Sequence, residues 1–109
     1  MALDVHTIPI GLAAPVTGSY AGFGFESEHE DLFSIVDLTP TAFPQLSRMR
    51  DYYDDTVYNG DDLAALIDEI RTVQAEIERD TPLDTTLSRF LKCAELATGD
   101  NKAVLLFAD

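Results

Sequence analysis

The residues of this 109-residue chain best suited to chemistry are two histidines, His6 and His29, one cysteine, Cys93, and twenty carboxylates. Structural zinc asks for ligands at spacings such as CxxC or HExxH, and the histidines and the cysteine stand far apart in no such pattern. Nucleophilic catalysis needs a serine or cysteine beside a histidine with an acid to orient it. No G-x-S-x-G is present, and Cys93 lies along an apolar stripe with Phe90, Ala94 and Ala97, where a buried, inert thiol is expected. Adjacent acids such as Asp54-Asp55 and Asp61-Asp62 follow from composition, and acid–base work would also need an apolar setting that raises one of the two pKa values. The run from Asp55 to Gly60 resembles the start of an EF-hand loop. It fails at two ligand positions, where Val57 and Leu66 replace a carboxylate or amide and the bidentate glutamate. Gly18, Gly22 and Gly24 do not form a phosphate-binding GxGxxG, because Glu26 and Ser27 stand where a third glycine belongs. These failures together favour a non-enzymatic protein with no metal and no cofactor.

What remains is a pattern of charge. Twenty acids against seven bases give a net charge of −13, and all seven bases lie after residue 47. Between Asp51 and Glu69 there are seven acids and no base. Such a field repels nucleic acid and anionic membrane and speeds encounter with a basic protein. The same stretch holds aromatic residues: Tyr52, Tyr53 and Tyr58 are interleaved with Asp51, Asp54 and Asp55. Tyrosine rings offer contact area and the acids offer a complementary field, so these six residues form the candidate partner-binding site. The competing explanation is that the rings pack inward while the acids are only solvated.

Positioning such a cluster requires elements, and the chain supplies them in two styles. In the first half, Val5 to Ile10 alternates like a strand, with Pro9 placing it at an edge or at its own end. Tyr20 to Phe25 reads as a strand with glycines on one face, a surface suited to close packing or a small ligand. Glu26 to Asp31 reads as a charged turn and Leu32 to Leu38 as an apolar strand stopped by Thr39-Pro40. Thr41 to Tyr53 is expected to hold one short helix, with Phe43, Leu46 and Met49 at helical spacing and Pro44 in its first turn.

The second half is strongly periodic. Asn59 is a suitable N-cap, Asp61 and Asp62 complement a helix dipole, and Leu63, Leu66, Ile67, Ile70, Val73 and Ile77 make one stripe ending near Arg79. Thr81 or Asp84 can cap a second helix whose stripe runs through Leu87, Phe90, Leu91 and Ala94, with Gly99 as its stop. The short connection predicts an antiparallel pair. Lys102 to Ala108 is apolar on both faces and reads as a strand central in a sheet.

The stretches FPQLSRMRDYYDDTVYNGDDLAALIDEI and LSRFLKCAELATGDNKAVLLFAD give a short helix, an acidic and aromatic segment, two helices and a final apolar strand ending at Asp109. Over roughly residues 43–109 this layout resembles small acidic immunity-type proteins of bacterial toxin–immunity systems. The resemblance implies a protein that binds and blocks a basic partner and contributes no catalytic residue.

The expectation is one α+β domain over residues 1–109. A small, mostly antiparallel sheet carries a helical hairpin and one shorter helix on a face. One cysteine excludes an internal disulfide and fits a cytoplasmic setting. The first residues lack a basic region and include Asp4, Pro9 and Pro15, unlike a signal peptide. The longest apolar run, Ala103 to Ala108, is too short to span a membrane. The expected function is protein binding, with a homodimeric or structural interaction module as the alternative and a small-ligand binder as a third.

Overall fold

The computed structural model describes residues 3–9, 20–25, 27–50 and 56–108. Strands β1 (Leu3–Pro9), β2 (Tyr20–Phe25), β3 (Thr56–Tyr58) and β4 (Lys102–Ala108) form a four-stranded antiparallel sheet in the order β2-β1-β4-β3. Helices α1 (Ser27–Val36), α2 (Pro44–Ser47), α3 (Gly60–Glu76) and α4 (Pro82–Gly99) complete an α+β fold. As its apolar character predicts, β4 is an inner strand, hydrogen-bonded to β1 on one side and β3 on the other. Pro9 is the last residue of β1, where its missing N–H costs the ladder least. The pairing of β1 with β2 shifts register between Asp4 and His6, a local irregularity.

Alternation along the strands divides the core. Val5, Tyr58, Val104 and Leu106 face the helices and join Leu66, Ile70, Leu87 and Phe90 in the main cluster. Ile8, Ala103 and Leu105, with half-buried Val57 against them, form a smaller cluster on the opposite face of the sheet. The stripes of α3 and α4 meet as an antiparallel pair: Arg71 lies across from Glu95, and Gln74 bonds both Asp84 and Ser88. Thr81 caps α4, its hydroxyl accepting from the Asp84 N–H at 3.2 Å, and the Asp84 carboxylate accepts from the N–H of Asp80, the residue before the cap, at 3.0 Å.

Several local expectations are corrected. The stretch read as a charged turn followed by a strand at Leu32–Leu38 contains helix α1. Taken alone, LFSIV is a short apolar run that suits a strand or a helix. With buried His29 included, His29, Leu32, Phe33 and Val36 fall three and four apart, the spacing of one helix face. The single helix expected over Thr41–Tyr53, of which 51–53 lie outside the described residues, is broken into a 3₁₀ turn (Pro40–Ala42), the four-residue α2 and a second 3₁₀ turn (Arg48–Arg50). Phe43 adopts non-helical φ −130° and ψ 57°, and Pro44 restarts the helix behind it.

The ends of the long helices also differ from expectation. α3 stops at Glu76, short of Arg79, because Ile77 turns extended. Gly99 lies inside α4, and the left-handed residue after that helix is Asn101, with φ 57°. Asn59 stands at the N-cap of α3 as predicted, yet its side chain makes no capping bond; its carbonyl oxygen accepts from the Asp62 N–H at 3.1 Å. Gly60 follows with φ 54°, a conformation that a side chain would strain.

Candidate functional site

Five of the six residues expected to bind a partner, Asp51, Tyr52, Tyr53, Asp54 and Asp55, lie outside the described residues. The sixth, Tyr58, is fully buried. This corrects its assignment: its ring belongs to the core and offers no contact area to a partner. Tyr58 sits on β3 among residues that face the helices, and its hydroxyl donates to the Gln45 carbonyl oxygen at 2.6 Å. Burial pushes the phenol well above its ordinary pKa, so it stays a neutral donor.

Around Tyr58 lies a polar knot. The Arg48 guanidinium stacks over its ring at 4.8 Å from the centroid, donates to the Val57 carbonyl at 2.8 Å and to Gln45 Oε1 at 3.0 Å. It also reaches the Asp62 carboxylate at 3.4 Å, an exposed pair worth little by itself. Thr56 Oγ1 donates to the Arg48 carbonyl at 3.2 Å. Arg48 therefore ties together the described residues on either side of the acidic segment 51–55. Beyond them Asp61, Asp62 and Asp68 stand exposed on α3, and Arg48 is the base that bonds this acidic flank among the described contacts.

Sequence reading missed Glu69. It is a buried carboxylate on α3 whose Oε1 accepts from the backbone N–H groups of Gln45 and Leu46, both at 3.0 Å. These are the free donors at the start of α2. The N-cap residue, Phe43, has no oxygen to offer them, and Pro44 has no N–H to satisfy. Glu69 supplies from another helix the cap that the local sequence lacks. Burial raises its pKa, and the two backbone bonds oppose that rise in part. The signal was present: Glu69 falls between Leu66 and Ile70 on the buried stripe, where a carboxylate needs a donor.

Of the remaining candidates for chemistry, His29 adjoins this region, while His6 and Cys93 lie on β1 and α4. His29 is buried on α1, where its Nε2–H donates to the Met49 carbonyl at 2.9 Å and its ring leans on Phe33 at 4.5 Å between centroids. It fastens α1 to the second 3₁₀ turn. His6 is buried on β1, in the strand position two before Ile8. Cys93 is buried in α4 and burial pushes its thiol up to about 11, so little thiolate exists at neutral pH. Among the described residues no three His, Cys, Asp or Glu side chains are grouped to hold a metal ion, and no helix is long and apolar enough to cross a membrane. The glycine-bearing segment forms β2 at one edge of the sheet.

The arrangement joins α2, β3 and α3 through hydrogen bonds beside an exposed acidic flank, and Tyr58, Glu69 and His29 are each bonded to backbone groups. Compared with protein-family models, curated proteins and solved structures, the chain matches none.

Proposed function

We propose that this domain is a non-enzymatic protein-binding module. In this reading its acidic flank meets a basic protein, and binding blocks that protein in the manner of an immunity or inhibitor protein. The observation that carries the reading is the exposure of Asp61, Asp62 and Asp68 at the end of the base-free stretch Asp51–Glu69. They stand on a helix anchored by fully buried Leu66, Ile70 and Val73, so little conformational freedom would be lost on docking. An acidic field of this kind acts mainly on association rate and partner choice.

The test is recovery of a basic protein from the native host at low salt, followed by kinetics with that protein. Replacing Asp54, Asp55, Asp61 and Asp62 with Asn is expected to slow association about tenfold at low salt and by less at high salt. Failure to recover any basic protein, or an unchanged association rate, counts against the reading.

A second reading, a homodimer, is favoured by the place of β2. Among the described residues it is the outermost strand on its side, and Tyr20–Phe25 contains no charged residue and no proline, the usual means of blunting an edge. Light scattering of the isolated protein separates the two. This reading expects a dimer mass that Phe23→Lys converts to monomer; a monomer at all concentrations removes it.

A further inference from the structure

We draw no further inference here: the strongest candidate, the buried Glu69 carboxylate between α3 and the start of α2, has its oxygens already occupied by the Gln45 and Leu46 N–H groups and is a fastener of the fold rather than an open site.

Discussion

The α3–α4 hairpin and the described residues between Phe43 and Tyr58 share one core but balance apolar burial and hydrogen bonding differently. The hairpin closes on two apolar stripes, with Leu66, Ile70, Leu87 and Phe90 fully buried between them and the sheet. Burial of each such side chain contributes about 1.5–3 kcal/mol, and no single polar contact decides the geometry. The described parts of the 43–58 segment also bury Phe43, Leu46, Met49 and Tyr58 in that core, but named bonds are needed beside the burial. Glu69 caps α2, His29 fastens Met49, Tyr58 reaches Gln45, and Arg48 ties Val57 to Gln45. Helices that bury a full stripe tolerate the loss of polar groups. A four-residue helix cannot hold itself, because the cost of nucleation exceeds what so few backbone bonds return.

The sharpest way to break the contrast is in the hairpin core. Phe90→Ala is expected to destabilise the whole domain by about 3–5 kcal/mol, measured by denaturant unfolding with the slope unchanged. A loss confined to α4 would show that the hairpin is not the centre of cooperativity.

Glu69→Ala is expected to cost about 1–3 kcal/mol, since two N–H groups lose their acceptor. Amide exchange at Gln45 and Leu46 should accelerate while the α4 amides keep their protection. Equal acceleration everywhere would erase the distinction between the two regions. The same carboxylate gives a pH test with Glu69→Gln as reference. Its pKa in the folded state lies above the ordinary value of 4.5, so its contribution is complete below that ordinary value and is lost as pH rises through the folded one. Relative to Glu69→Gln, the natural protein should therefore become less stable as pH is raised from 4 towards neutrality. The opposite slope would mean that the N–H bonds outweigh burial.

Tyr58→Phe keeps the ring under Arg48 and removes only the 2.6 Å bond to Gln45, for an expected loss of about 1 kcal/mol by thermal or denaturant unfolding. The smallest effect belongs to the surface of the hairpin. Glu95→Gln removes the exposed 3.4 Å pair with Arg71 and should shift stability by about 0.5 kcal/mol or less.

This division also explains what could be read in advance. The stripes of α3 and α4, the Thr81 cap and the inner position of β4 follow from periodicity and from local hydrogen bonding, which are properties of neighbouring residues. The short elements between residues 27 and 50 depend on partners from elsewhere. Nothing near Phe43 announces that a carboxylate from residue 69 will cap the next helix. LFSIV becomes a helix because its stripe extends back to a histidine that reads as polar. Tyr58 shows the same limit. Its acidic neighbours in sequence place it on a surface, whereas strand alternation, which a three-residue strand barely displays, turns it into the core. Asp61 and Asp62 are exposed as a helix start predicts.

The pairing of β1 with β4 joins residues from opposite ends of the described chain, Leu3 with Ala108 and Pro9 with Lys102. Contacts this distant in sequence carry the full entropy of loop closure before any of their stabilisation is gained, and they slow folding. During synthesis the hairpin is complete before β4 has been made. The pairing of β1 with β4 can therefore form only once Lys102–Ala108 has been made. Until then β1 lacks its partner on that side, and the apolar rows that β4 later covers remain open to chaperones or to another nascent chain.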